Sequence, residues 1–225
     1  MPRSPRSARR KKKQVEAPPA DVDLRVPTPV LIGLTVALAV VYFVLSRLSD
    51  GFYQHDEVAH FISMRQFWHD PNVALGNWAK PGYKVLYALP ALFGATAVTM
   101  VNALVAAACA YAGTRLAEKL GAGTPLLAFA LLAFQPLWME LAFRNYSELP
   151  TALLLTLAVW AQYGERPVVA ALLLSYAATI RQELYVLVLL YGAYLVYKRH
   201  FGAALALAVF PLLNHVWGWA ATGNA

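Results

Sequence analysis

The segment GFYQHDEVAHFISMRQFWHD, residues 51–70, is the most polar part of a chain that is otherwise strongly apolar beyond its N-terminal tail. It contains an adjacent carboxylate pair, Asp56 and Glu57, flanked by His55 and His60. The segment follows the first long hydrophobic run and precedes six more apolar segments of helical size. This placement predicts an acid–base or metal-binding centre in a loop at a membrane surface, with the rest of the chain as its scaffold.

The composition supports a membrane location. Hydrophobic residues make up 59% of the 225 residues, and charged residues only 14%. A soluble domain carries about 25% charged residues, so the chain is expected to be an integral membrane protein. Although the formal net charge is +7, eight of the 19 lysines and arginines lie in the first 25 residues. That distribution argues against nucleic-acid binding and predicts a disordered, basic, cytoplasmic tail over residues 1–28 that follows the positive-inside rule.

Seven apolar runs predict an all-α core over residues 29–225 that crosses the membrane about seven times. The runs cover residues 29–48, 95–116, 124–142, 150–163, 168–180, 184–197 and 201–220. The first has the length of one crossing and is expected to be an uncleaved anchor. Several later runs are shorter, which predicts tilted or partly embedded helices.

The loop charges give this topology an orientation. With the N-terminus inside, the loops at 115–119, 165–166 and 198–200 also lie inside, and each carries a basic residue. Residues 51–70 then lie at the outer face of a plasma membrane, expected to be bacterial or archaeal. The last four residues, TGNA, read as the middle of a loop, so the sequence is expected to be either part of a longer chain or a minimal form of one.

The first outer loop is expected to hold two juxtamembrane helices. In residues 57–68 the apolar side chains of Val58, Phe61, Ile62 and Trp68 recur at helical spacing, which predicts a short amphipathic helix in the membrane interface. Residues 83–93 form a second apolar piece, interrupted at Pro90 and too short to span.

The topology places a set of ionisable residues at or near the outer face. They are Asp56, Glu57, Lys80, Lys84, Arg144, Glu148, Arg181 and Glu183. A charge at the bilayer centre costs about 2.5–3.5 kcal/mol even on permissive scales. Acids and bases gathered on one face therefore predict a shared cavity.

Asp56 and Glu57 are the candidate catalytic residues. A partly desolvated carboxylate can take a proton from a nucleophile. The pair could equally bind a divalent cation such as Mg²⁺ or Mn²⁺, with His60 as a third ligand. The alternative is that Asp56 is only the N-cap of the interfacial helix.

Candidate substrate-binding residues also have structural alternatives. Lys80 and Lys84 could bind a lipid phosphate or extend to ordinary headgroups. Arg144 and Glu148, four residues apart, could bind substrate or form a structural ion pair with each other. The aromatic side chains of Trp78, Tyr83 and Tyr87 could stack on a sugar or form an interfacial belt.

These features, in this order, resemble the GT-C membrane glycosyltransferases, the superfamily of protein O-mannosyltransferases and lipid A aminoarabinose transferases. The resemblance rests on the Asp56–Glu57 pair after the first membrane helix, on KPGY at 80–83 and LFG at 92–94, and on RNYSELP at 144–150 and RQE at 181–183.

The resemblance implies transfer of a sugar from a polyprenyl-phosphate donor to a protein, lipid or glycan acceptor at the outer face. Asp56 would be the general base or a metal ligand, with Glu57 beside it. The donor phosphate would lie near Lys80, Lys84 and Arg144, with Glu148 and Arg181 close by. A transporter or channel subunit, with Asp56, Glu57 and Arg181 on an ion path, is one alternative. A non-catalytic membrane scaffold is the other.

Overall fold

The computed structural model describes residues 25–49, 51–52, 54–75 and 80–223. The predicted tail thus lies outside the described residues, apart from residues 25–28. Across the described residues the chain is all-helical, as predicted. The helices are α1 (Thr28–Ser46), α2 (His55–Gln66), α3 (Pro81–Leu92), α4 (Ala95–Lys119), α5 (Pro125–Phe134), α6 (Pro136–Phe143), α7 (Glu148–Tyr163), α8 (Pro167–Ile180), α9 (Tyr185–Tyr197), α10 (Phe201–Ala206) and α11 (Val209–Thr222). Short 3₁₀ turns occupy Pro71–Leu75 and Gln182–Leu184.

The lengths of the helices limit how many membrane crossings can be counted. In the described part of the chain, three helices are long and apolar enough to cross a membrane: α1, α4 and the continuous segment Phe201–Thr222. The pair α5–α6 would be a fourth if it forms one bent span. Helix α8 and residues 182–197 are apolar but shorter. The count of seven crossings therefore stays a prediction.

The third predicted run is broken, which corrects the expectation of one straight helix over residues 124–142. Helices α5 and α6 meet at 60°. Gln135 between them is extended, with φ −73° and ψ 121°, because a residue that precedes proline is disfavoured in the α conformation. Pro136 then begins α6 at the position where its missing N–H costs nothing, and the Gln135 side chain accepts a hydrogen bond from the Trp138 N–H.

Helices α1 and α4 pack antiparallel, and their contacts define two ends of the molecule. At the tail end, the Val26 N–H donates to Oε1 of Glu118 at 2.8 Å. At the loop end, Nη1 of Arg47 donates to Oγ1 of Thr96 at 2.9 Å. The loop end also holds α2 and the turns at 144–147 and 181–184, so the polar segments predicted to share one face do lie together.

Helix α4 forms the centre of the core through small side chains. Ala103, Ala106, Ala107 and Ala110 are fully or almost fully buried, which lets α1, α5 and α7 approach closely. By contrast, only 22% of α1 and 17% of the Phe201–Thr222 segment is buried inside the molecule, although both are strongly apolar. Outward-facing apolar helices of this kind are suited to contact with lipid.

Helix α3 begins at Pro81 and runs to Leu92 through Pro90, so the predicted interruption at Pro90 is wrong. Pro90 lies in the last turn, where its missing N–H removes only one hydrogen bond. Gly82 sits against α8 and accepts a hydrogen bond from the Tyr176 hydroxyl at 2.9 Å. This contact fixes α3 beside the end of α8.

The closeness of Gly82 to α8 makes it sensitive to any side chain. A Cβ at this position would overlap Oγ1 of Thr179 and lie 3.1 Å from Cγ1 of Ile180. We expect Gly82→Ala to lower the free energy of unfolding by about 1–3 kcal/mol, measured by denaturation of the detergent-solubilised protein. The matched control is Gly33→Ala in α1, where a Cβ meets nothing within 4 Å. An equal loss in both variants would contradict the close approach of α3 and α8.

Candidate active site

Helix α2 carries the carboxylate pair in its first turn. Gln54 is the N-cap residue, and its backbone N–H donates to Oε2 of Glu57 at 3.1 Å. The alternative that Asp56 is the N-cap is therefore wrong, because the helix begins one residue before it. Asp56 instead lies within the first turn, where the helix dipole favours a negative charge.

The face of α2 that packs against the protein is polar. Glu57, His60 and Met64 are buried, whereas Val58 and Ile62 are 39% and 48% exposed. Of the predicted apolar stripe, Val58, Ile62 and Trp68 are thus exposed, whereas Phe61 packs partly against the core. An outward apolar stripe suits a helix that lies in a membrane interface, and it leaves the buried face free for hydrogen bonding.

Glu57 joins α2 to the loop between α6 and α7. Its side chain is fully buried, and Oε1 accepts a hydrogen bond from the Asn145 backbone N–H at 3.0 Å. The Asn145 side chain completes the pair, because its Nδ2 donates to the backbone oxygen of Glu57 at 2.8 Å. We call these two hydrogen bonds the Glu57–Asn145 junction.

Two further side chains hold the same loop. The Tyr83 hydroxyl donates to Oδ1 of Asn145 at 2.7 Å, and Nδ2 of Asn102 donates to the backbone oxygen of Arg144. Tyr83 and Tyr87 are both fully buried. The sugar-stacking and interfacial-belt interpretations of these two tyrosines are therefore wrong. Trp78, the third member of that set, lies outside the described residues.

Arg144 is buried beside Glu57 rather than paired with Glu148. Its Nη1 lies 3.5 Å from Oε2 of Glu57 and 3.4 Å from the Gly51 oxygen, and its Nη2 lies 3.7 Å from Oε1 of Glu140. Only 9% of the Arg144 side chain is exposed. Because a buried carboxylate needs a compensating cation, this arginine stabilises the charge of Glu57.

Glu148 instead pairs with Arg181, at the start of α7 and the end of α8. Nη1 of Arg181 contacts Oε1 of Glu148, and its Nη2 lies 3.0 Å from Oε1 of Glu183. The predicted Arg144–Glu148 ion pair is therefore replaced by a pair that connects two loops. Oε2 of Glu148 is buried and has no hydrogen-bond partner among the described residues.

The two lysines have different surroundings. Nζ of Lys80 donates to Oγ of Ser147 at 3.1 Å, and the side chain is partly exposed. Lys84 is only 3% exposed, and its Nζ donates to the Val73 oxygen at 3.0 Å. Burial and the nearby charge of Lys80 lower the pKa of Lys84. Lys80 is thus the more accessible of the two cations.

Asp56 is the accessible member of the carboxylate pair. Its side chain is 44% exposed, and Oδ1 lies 3.9 Å from Nδ1 of His55. Because Glu57 is fully buried and already hydrogen-bonded, the two neighbouring carboxylates cannot play the same part. Asp56 is accessible to solvent, and Glu57 belongs to the framework.

The predicted site residues meet around His60. Only 2% of this residue is exposed. Its ring packs edge-on against the Tyr83 ring, with the two ring centroids 5.5 Å apart. Burial, followed by the charges of Lys80 and Lys84, lowers the pKa of His60 from 6.5 to about 4, while Asp56 and Glu148 act in the opposite direction. A neutral imidazole thus lies among two cations and two anions.

The described residues do not fit a metal ion. No three His, Cys, Asp or Glu side chains in this part of the chain form a group that could hold one. Of the three candidate ligands, Glu57 already forms the Glu57–Asn145 junction and His60 is buried against Tyr83. The metal assignment to Asp56, Glu57 and His60 stays a prediction.

Asn145 is a structural residue whose role was not predicted from the sequence. It is fully buried, and both polar ends of its side chain are paired. Its position between Arg144 and Glu148, in a polar loop before a proline, is the pattern that could have drawn attention to it. Its partner, however, lies 88 residues away in the chain.

We expect Asn145→Ala to destabilise the protein strongly. The substitution removes one hydrogen bond to the Glu57 backbone oxygen and leaves the Tyr83 hydroxyl without its buried acceptor, and an unpaired buried group costs about 1–3 kcal/mol. Denaturation of the solubilised protein measures the loss. Gln66→Ala, at an exposed amide side chain in the last turn of α2, is the control and should change stability by less than about 0.5 kcal/mol. Equal stability of the two variants would contradict the junction.

The buried His60 predicts a pH dependence of stability. The unfolded chain protonates this histidine near pH 6.5, whereas the folded protein does so only near pH 4. Between these values the unfolded state binds more protons, so stability should fall as the pH is lowered through this window and level off below it. We expect His60→Gln to flatten the fall in melting temperature. The exposed His200→Gln should behave like the wild type, and an unchanged slope in His60→Gln would refute the assignment.

Comparison with known proteins identifies the chain's family. Neither a search of curated proteins nor a search of solved structures found a match. The sequence profile of glycosyltransferase family 87 matches residues 80–225. The matched region begins at Lys80 and includes Arg144, Asn145, Glu148 and Arg181, while α1 and α2 precede it. The expectation of a glycosyltransferase is thereby confirmed: this all-helical chain belongs to glycosyltransferase family 87.

Proposed function

We propose that the protein is a GT-C-type glycosyltransferase that moves a sugar from a polyprenyl-phosphate donor to an acceptor hydroxyl at the outer membrane face. The observation that carries this proposal is the accessible carboxylate of Asp56 at the end of the molecule where Lys80 and Arg181 also lie. The family assignment supports the transferase chemistry, and the outward apolar helices support a membrane-embedded donor.

In this proposal Asp56 acts as the general base. It accepts the proton of the acceptor hydroxyl while that oxygen forms a bond to the anomeric carbon and the bond from this carbon to the phosphate oxygen breaks. Three features suit Asp56 to this part: its side chain is 44% exposed, it stands in the first turn of α2, and its neighbour Glu57 is fixed by the junction. Glu57 is then a positioning residue rather than a catalytic one.

The leaving lipid phosphate requires positive charge, because negative charge develops on its oxygen as the bond breaks. Lys80 is the leading candidate to supply it, since its Nζ is held by Ser147 and remains partly exposed. Arg181 offers a second cation that Glu148 and Glu183 keep at the same end. Arg144 and Lys84 are more deeply buried, and we assign them to the framework.

An apolar groove begins directly beside Lys80 and suits the lipid part of the donor. It has a volume of about 200 Å³ and lies between α3, α8 and α11. Its walls include Pro81 and Val85 on one side and Phe210 and Leu213 on the other. A phosphate at Lys80 would place the first units of an attached polyprenyl chain at the mouth of this groove.

The decisive variant is Asp56→Asn, which keeps the shape of the side chain but removes the base. Membranes containing the variant, supplied with radiolabelled polyprenyl-phosphate sugar, should show a kcat lower by about 10²–10⁴-fold at an unchanged level of folded protein. Asp70→Asn, at an exposed carboxylate just after α2, is the matched control and should keep its activity. Normal turnover in Asp56→Asn would refute the catalytic assignment.

A further inference from the structure

Two adjoining cavities open at the tail end, opposite the candidate active site. The larger has a volume of about 650 Å³ and lies between the residues before α1 and the last turn of α4. The smaller has a volume of about 400 Å³ and extends along α7 and α8. Lys119 and Trp160 line both. Because the two cavities share these residues, we call them together the tail-end cleft.

Four basic residues line the cleft. Arg25, Arg115, Lys119 and Arg166 contribute to its walls, and Glu118 is the acid among the lining residues. The carboxylate of Glu118 is already used, because it accepts the Val26 N–H and an Arg115 guanidinium N–H, each at 2.8 Å. The charge presented to the cleft is therefore positive.

Lys119 and Arg166 converge on the turn between α7 and α8. Arg166 belongs to that turn, directly before Pro167. Nζ of Lys119 lies over the same turn, since it is 3.3 Å from the position that a Cβ would take at Gly164. The two cations come from elements far apart in sequence and flank one opening, an arrangement suited to a single anionic group such as a phosphate.

The deep wall of the cleft is apolar. Leu157, Val169 and Leu173 line the smaller cavity below Lys119 and Arg166. Trp160 stands between the charged and the apolar parts, the position that tryptophan prefers at a membrane boundary. A cleft that is cationic at its mouth and apolar along its length matches an amphiphile better than it matches a free anion.

We propose that the tail-end cleft binds an anionic phospholipid, with the headgroup phosphate between Lys119 and Arg166 and an acyl chain along α7 and α8. Basic pockets between membrane helices bind anionic headgroups in this way. The site is separate from the proposed donor site, because the two lie at opposite ends of the helices.

The test is native mass spectrometry of the solubilised protein with phosphatidylglycerol and phosphatidylcholine in equal amounts. The wild type should retain phosphatidylglycerol in a one-to-one complex and prefer it over phosphatidylcholine. In the double variant Lys119→Gln/Arg166→Gln, its affinity should fall about fivefold for each charge removed. Binding without preference in the wild type would overturn the proposal, whatever the variants do.

The control is Lys198→Gln/Arg199→Gln, which removes two charges in the turn between α9 and α10, outside the cleft. This control should bind phosphatidylglycerol as the wild type does. An equal loss of affinity in both double variants would show that only the total surface charge matters, and it would refute the site. Inorganic phosphate provides a second arm. If phosphate displaced the lipid completely at equal concentration, the headgroup alone would account for binding, and the assignment of the acyl chain to α7 and α8 would be wrong.

Discussion

The arrangement of the loop end depends on one buried carboxylate. Glu57 caps its own helix through the Gln54 N–H, accepts the Asn145 N–H and lies beside the Arg144 guanidinium. A fully buried charge of this kind is tolerated only when nearly all its hydrogen-bonding capacity is used. Gln54 lies directly before α2, whereas Arg144 and Asn145 lie before α7. Because all three contact Glu57, this one carboxylate brings two distant loops together.

This constraint separates framework from accessible groups. Glu57, Asn145, Arg144 and Lys84 are buried and paired within the protein. Asp56 and Lys80, each close in sequence to a buried partner, remain accessible at the same end. The neighbouring residues of each pair thus differ in accessibility. In the proposed function, a fixed framework of this type would position the reacting groups before a substrate arrives.

The sequence predicted the helices better than the contacts. Long apolar runs fix where helices form, and the boundaries at α1, α4 and α9 agree to within a few residues. The break at Gln135 follows from the proline after it, although the apolar run continues on both sides. The exposure of Val58 and Ile62 on α2 was not predictable from periodicity alone, because an amphipathic pattern gives two faces and does not say which one packs against the protein.

Individual site contacts were still harder to predict. The clustering of charges correctly predicted that Glu148 and Arg181 lie at one end, whereas the Arg144–Glu148 pair, one of two alternatives that local spacing suggested, does not form. Asn145 carries no charge and bonds to a residue 88 positions away, so nothing in its local pattern revealed its role. Contacts between distant loops depend on how the helices pack, which a single sequence specifies only indirectly.

The most direct measurement of the central claim is hydrogen exchange of the 144–148 segment in the wild type, in Glu57→Ala and in Asp56→Ala. Loss of a hydrogen bond to a charged acceptor is worth about 1.5–3 kcal/mol, which corresponds to exchange about ten- to a hundredfold faster. The account predicts this acceleration in Glu57→Ala and none in Asp56→Ala. Equal protection of the segment in all three proteins would contradict it.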